Sequence, residues 1–207
     1  MNQILIQIIL GAIQGITEWL PMSSSGIVTL VNSNFLGITD IGQLLHIALF
    51  LHLGTFFAAL IYFRRDVFVL IKALFNYRKT GKNTKKVLKF LIVSTLISGV
   101  IGLTILRILT SFESQLEITG RTITFAVGIL LLSTGIIQVK IKNRGLKKID
   151  ELKNNDGVFL GFAQGLASLP GISRSGITVS TLLLKKFSDT TALRLSFLMS
   201  LPIVLLG

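Results

Sequence analysis

The sequence contains no cysteine, so neither a disulfide nor a thiolate-held metal is available to it, although that absence does not identify a compartment. Charge is scarce as well. Only 14% of the 207 residues are Asp, Glu, Lys or Arg, and these sit in a few clusters. A soluble domain spreads charge over its surface, so the shortage argues against one. The N-terminus lacks a basic stretch, and Glu18 interrupts the first apolar run before any signal-like cleavage site; a removed signal peptide is not expected.

Apolar residues fill the space. The chain is 51% hydrophobic, with a mean hydropathy of +0.75, which implies an all-α polytopic membrane protein forming a single integral membrane domain over 1–207. The formal net charge of +12 would suit nucleic acid, but the basic residues flank apolar runs. They fit cytoplasmic loops beside an anionic leaflet better, so the bilayer and not nucleic acid is the expected partner.

One stretch occurs twice. GAIQGITEWLPMSSSG, Gly11 to Gly26, returns as GFAQGLASLPGISRSG, Gly161 to Gly176. Aligned without a gap, Gly11, Gln14, Gly15, Ser23, Ser25 and Gly26 meet Gly161, Gln164, Gly165, Ser173, Ser175 and Gly176. Ser24 faces Arg174, and Glu18 faces Ser168. Related segments that carry different chemistry imply one composite site built from two halves of a duplicated chain.

Three runs are long enough to span a bilayer: 44–63, 88–108 and 121–139. The last two lie between two basic loops, 64–89 and 140–156, which the positive-inside rule makes cytoplasmic, and are joined by a short turn with Glu113 and Glu117, which parity makes external. The two motif segments are interrupted by Pro21 and Pro170 and are too short to cross on either side of the break. Each is therefore expected to be a re-entrant helix-turn-helix hairpin, with turns at Pro21–Gly26 and Gly171–Gly176 entering from opposite faces. Such non-helical backbone is tolerated only where it lines a polar cavity. The alternative for residues 3–20 is an ordinary span. Repeat one then covers 1–139 and an incomplete inverted repeat two covers 157–207; the last apolar run, Leu195 to Gly207, stops without a flanking charge. Gly11 and Gly15, one turn apart, are the spacing that lets another helix approach closely.

Each turn delivers a helix N-terminus, and Ser23, Ser25, Gly26, Ser173, Ser175 and Gly176 add hydroxyls and amides. Together with the planar fork of Arg174 they form an anion site suited to phosphate. Glu18 beside such a site needs a proton or a metal ion between itself and the anion, which points to phosphoryl chemistry. Gln14 shares its helix face at i, i+4. Ser24, at a helix N-terminus and opposite Arg174 in the repeat, is placed to act as a nucleophile. Packing serves for any single Ser or Gly, and a Glu18–Arg174 pair could be structural, but charges inside a membrane are functional by default. His46 reads as interfacial; His52 reads either as a polar packing residue or as one that reaches the cavity.

At QGITEWLPMSSSG, HLGTFFAALIYF, PGISRSGIT and the LSFLMSLP run, the chain resembles the undecaprenyl-diphosphate phosphatase family, the bacitracin-resistance type, over essentially its whole length. The resemblance implies a multi-pass cell-membrane hydrolase that removes the terminal phosphate of a polyprenyl diphosphate lipid at a site open to the outer face, with a divalent cation, Mg2+ or Ca2+. By that resemblance Glu18 falls on the essential carboxylate, Ser24 on the proposed nucleophile, and Ser173, Arg174 and Ser175 on the phosphate-binding turn, while Gln14 joins Glu18 as a candidate metal ligand. Two departures stand out. Ile27 occupies the place where that family usually has a histidine, so Glu18, a metal-bound hydroxide or His52 would have to take its role. Members also continue past the length of this chain, by about the shortfall that the internal repeat predicts. A lipid-phosphate flippase and a non-catalytic paralogue are the rival functions, since inverted repeats with broken helices are also a transporter architecture. Oligomeric state is not legible.

Overall fold

The computed structural model describes residues 3–113, 120–141 and 145–206. Among these the chain is helical, apart from short turns and one bridge between Lys147 and Phe187. Helix α1 (Gln3–Thr17) ends just before Pro21, whose ring and missing N–H stop it, and α2 (Ser24–Phe35) restarts with Ser23 as its cap. The Ser23 hydroxyl accepts the Gly26 amide at 3.1 Å, satisfying one of the donors that a helix start leaves open. Further along, α7 (Asn154–Leu166) and α8 (Arg174–Leu184) repeat this construction, with Ser173 accepting the Gly176 amide at 3.0 Å. The turn between them uses Gly171 at φ +106°, a conformation open to glycine and strained for other residues.

Among the described residues, three helices are long and apolar enough to cross a membrane: α3 (Ile41–Tyr62), α5 (Lys82–Glu113) and α6 (Gly120–Val139). They match the expected spans, with α5 longer at both ends. Their outward faces are apolar. Ile92, Leu96, Val100 and Leu103 on α5, and Phe125, Ile129, Leu132 and Ile136 on α6, all point away from the protein. Recurring every three or four residues, they make an outer stripe suited to lipid rather than water. The protein is an all-α polytopic membrane protein. Part of the expected turn, residues 114–119, and of the second basic loop, residues 142–144, lies outside the described residues.

The core gathers α3, α5, α7, α8 and α9 (Asp189–Leu206) around Phe56, Phe90, Leu160, Leu182, Leu195 and Met199. Trp19, from the first motif, packs on this core with its ring 4.9 Å from that of Phe197.

Two sequence expectations change here. Much of 64–89 is not a loop: α4 (Arg64–Phe75) and a short 3-10 turn at Tyr77–Lys79 precede α5. The close helix approach also falls elsewhere. A Cβ on Gly15 would meet nothing within 4 Å, and one on Gly11 would only touch Leu51 at 4.0 Å. In the second copy, a Cβ on Gly161 would lie 2.8 Å from Ile97 Cβ, and one on Gly165 2.6 Å from Ile101 Cβ. It is α7 that needs small residues, because it lies flat along α5.

Candidate active site

Glu18 sits just past the end of α1, its amide bonded to Gln14 O at 2.9 Å, and its side chain is buried. Three of its neighbours offer it a hydrogen. Arg174 donates from Nη2 to Oε1 in a direct ion pair. Oε2 accepts from Ser24 Oγ at 2.6 Å and from Gln14 Nε2 at 2.9 Å. The ring of His52, on α3, brings Nε2 to 3.3 Å from the same Oε2. Its Nδ1 lies 2.6 Å from the carbonyl of Ala48. A carbonyl only accepts, so Nδ1 carries a hydrogen, and the Nε2–Oε2 contact is attractive when a second proton lies between them.

The local fold explains why these groups converge. Ser24 and Arg174 are each the first residue of a helix, one position after the capping serine, so their side chains leave from equivalent places. The two turns are laced together. Gly171 N donates to Ser23 Oγ at 3.2 Å, and Ser175 Oγ donates to Leu20 O at 2.9 Å. A Cβ on Gly26 would stand 3.0 Å from Gly171 Cα, so the first turn lies directly against the second. Within each turn the outer serines also approach one another, Ser23 to Ser25 at 3.3 Å and Ser173 to Ser175 at 3.4 Å. The structure thus brings Gln14, Glu18, Ser24 and Arg174 into one cluster, with Ser23, Ser25, Gly26, Ser173, Ser175 and Gly176 forming the scaffold of the two turns. His52 joins the cluster; His46 is exposed on the same helix and stands apart.

Two buried polar atoms here have no hydrogen-bond partner, Arg174 Nη1 and Gln14 Oε1. A buried guanidinium N–H without an acceptor is costly, so Nη1 is an open position for an anionic oxygen. A cleft opens on the pair between α3 and α9, lined by Trp19, Thr55, Phe56, Phe197 and Ser200 besides Glu18 and Arg174. Its walls carry apolar side chains above a charged floor, and its free volume of about 10 Å³ is that of a single water.

The residues do not build a cage for a resident divalent cation. No group of three or more His, Asp or Glu is placed to hold a metal among the described residues. Both Glu18 oxygens face hydrogen donors, which leaves the neutral Gln14 Oε1 as the one unused oxygen. A resident Ca2+ takes many oxygen ligands, whereas Mg2+ is usually held by one or two carboxylates together with substrate phosphates.

Sequence reasoning missed Gln138. From α6 its Nε2 donates to Pro21 O at 2.6 Å, and the same nitrogen would stand 2.5 Å from a Cβ on Gly176. It therefore touches both turns at once. The available signal was an amide near the end of an apolar span, which names no partner by itself.

Similarity to known proteins extends over nearly the whole chain. The undecaprenyl-diphosphatase of Methanococcoides burtonii is 43% identical over 204 residues, covering 97% of this chain and 75% of that protein. The proteins of the same name from Saccharolobus solfataricus and Syntrophotalea carbinolica are 40% and 36% identical, covering 99% and 95% of this chain and 72% of each relative. The family model described as bacitracin resistance protein BacA matches residues 7–207, and the chain belongs to that family.

Proposed function

We propose that this protein is a membrane phosphohydrolase that removes the terminal phosphate of a polyprenyl diphosphate of the undecaprenyl type, leaving the lipid monophosphate. The observation that carries the reading is the buried, unpartnered Nη1 of Arg174 beside a hydroxyl already bonded to a carboxylate. The terminal phosphate takes Nη1 as a donor and lies against the N-termini of α2 and α8, where helix dipoles favour anions.

In this reading Ser24 Oγ attacks the terminal phosphorus while its proton passes to Glu18 Oε2 at 2.6 Å. The bond from that phosphorus to the bridging oxygen breaks, and the polyprenyl monophosphate leaves. Water then attacks the phosphoserine, the Oγ–P bond breaks, inorganic phosphate departs and Ser24 regains a proton. His52, at 3.3 Å from Glu18 Oε2, shares the proton that the carboxylate receives. Arg174 and the helix starts offset the charge on the transferring group. Gln14 and the linked turns hold the reacting groups at their spacing.

A divalent cation, Mg2+ or Ca2+, enters this reading with the diphosphate of the substrate, not as a resident ion of the protein. The membrane is the cell membrane, the two hairpins are re-entrant and inverted, and the site faces outward. Relatives named for diphosphatase activity do not favour the flippase or non-catalytic alternatives.

The test is phosphate release by the purified chain from a polyprenyl diphosphate in detergent, with and without EDTA, with products separated. Equal amounts of inorganic phosphate and lipid monophosphate support the reading. Free polyprenol with pyrophosphate, or no release by well-folded protein, sinks it.

A further inference from the structure

Helix α4 has three distinct sides. At 100° per residue, Leu74, Ile71, Phe75 and Phe68 fall in one arc of about 120°, shared with Val67, which packs on the core, and at the helix start with Arg64, whose Nη1 turns back to donate to Ile61 O. Leu70 and Ala73 occupy the arc on one side, where Ala73 is buried and Leu70 packs against the core. Arg65 and Lys72 occupy the arc on the other side, both exposed. The apolar arc is uncovered: Phe68 is 69% exposed and Phe75 is 84% exposed. The helix is only 12 residues long, too short to cross a bilayer.

The one carboxylate on α4 is already engaged. Asp66 forms an ion pair with Arg194 of α9, which fixes the helix to the core with its apolar arc outward. Between residues 64 and 89 Asp66 is the only acidic residue, against nine Lys and Arg. Just past the helix, Tyr77 is about half exposed, with Lys85 Nζ 5.0 Å from its ring centre. Aromatic rings with a polar edge favour the headgroup level of a bilayer.

We infer that α4 is an in-plane membrane-surface helix that sinks Phe68, Ile71, Leu74 and Phe75 into the acyl boundary of an anionic bilayer and lays Arg65 and Lys72 against acidic headgroups. Its partner is a negatively charged lipid surface. Charge selects this occupant over a second copy of the chain, because a symmetric α4–α4 contact would bring strongly basic segments together without counter-charge. The arrangement follows the general pattern of interfacial amphipathic helices, an apolar face in the boundary and basic residues beside it. It also accounts for a helix where the sequence suggested a loop: the bilayer surface gives the exposed apolar arc somewhere to go.

The absence of cysteine makes the test direct. Single cysteines at Phe75 and Ile71, and a control at Asn76 on the polar side, are labelled with an environment-sensitive fluorophore. The full chain is reconstituted in vesicles of phosphatidylcholine alone or with about a third phosphatidylglycerol. In the anionic vesicles, probes at 75 and 71 are expected to be quenched by lipids spin-labelled near the headgroup, and to be several-fold less accessible to aqueous iodide than the probe at 76. Protection should fall in neutral vesicles. Losing one basic contact weakens headgroup attraction about fivefold, so Arg65→Gln with Lys72→Gln should erase the difference between the two lipid compositions. Equal iodide access at 75 and 76 overturns the inference. So does a probe shielded from both iodide and lipid quencher, which would mean a protein covers the face, and so does protection indifferent to lipid charge.

Discussion

Ser24 and Arg174 occupy the same position of two separate helices, and they reach opposite oxygens of one carboxylate. Each follows a serine cap that bonds the amide three residues on. The repeat has therefore kept one scaffold and divided the chemistry, with a hydroxyl from one copy and a guanidinium from the other.

The first prediction tests that division at Arg174. A buried ion pair that loses one partner leaves a costly lone charge, and here the site would also lose its open donor. Arg174→Ala should abolish phosphate release while membrane-inserted protein remains. Arg174→Lys should fare little better, because a point charge cannot serve Glu18 and a phosphate oxygen from one planar fork. Near-normal turnover in the lysine variant would show that the fork geometry is irrelevant.

A second prediction separates nucleophile from bystander. Ser24→Ala removes the attacking oxygen in the proposed mechanism and should reduce turnover to the background of Glu18→Gln. A loss of only about tenfold would instead favour attack by water, since deleting a covalent nucleophile costs far more than deleting a hydrogen bond. Rapid quench with lipid diphosphate labelled on its terminal phosphate should trap a phosphoserine in the parent chain and none in Ser24→Ala.

The third concerns packing. A Cβ at Gly165 would collide with Ile101 at 2.6 Å. Gly165→Val should lower the unfolding temperature in detergent, by an overpacking penalty of about 1–3 kcal/mol. Combined with Ile101→Ala, which opens the facing space, it should recover a large part of that loss. Additive effects would mean that α5 and α7 do not meet at this point.

Much of this architecture is legible in the sequence, for physical reasons. The spans show as apolar runs because every backbone group in lipid must be satisfied within a helix. Ser24, Arg174 and Glu18 stand out because charges are rare in such a chain and because the repeat aligns the first two. Other features are hidden. The basic residues of 64–75 suggest a loop and mask the short period of Leu70, Ala73 and the exposed apolar arc that makes α4 a helix. Glycine spacing in α1 and α7 is the same, yet only α7 uses it, because spacing does not say which face meets a neighbour. Gln138 joins both turns through contacts distant along the chain, the one to Pro21 spanning 117 residues, which no local pattern records.

The last prediction turns on His52 and Ile27. A serine hydroxyl is a weak nucleophile until a base takes its proton. The resembled family usually places a histidine at residue 27, one turn along α2 from Ser24; here that residue is isoleucine, which accepts no proton. His52 approaches the same carboxylate oxygen from α3, at 3.3 Å, with its other nitrogen anchored on Ala48 O at 2.6 Å. An imidazole is thus returned to the cluster from a different helix. If it shares the proton that Glu18 receives, His52→Ala should slow turnover by about 10²–10⁴-fold, the usual range for general acid–base groups. His52→Gln, which keeps a hydrogen-bonding group but cannot carry a proton in this range, should be nearly as slow. Ile27→His alone should change little, because the role is filled. In the His52→Ala background, Ile27→His should restore at least about tenfold of the lost rate. A His52→Gln variant that keeps full turnover would make His52 a packing residue, and Glu18 would then have to act alone.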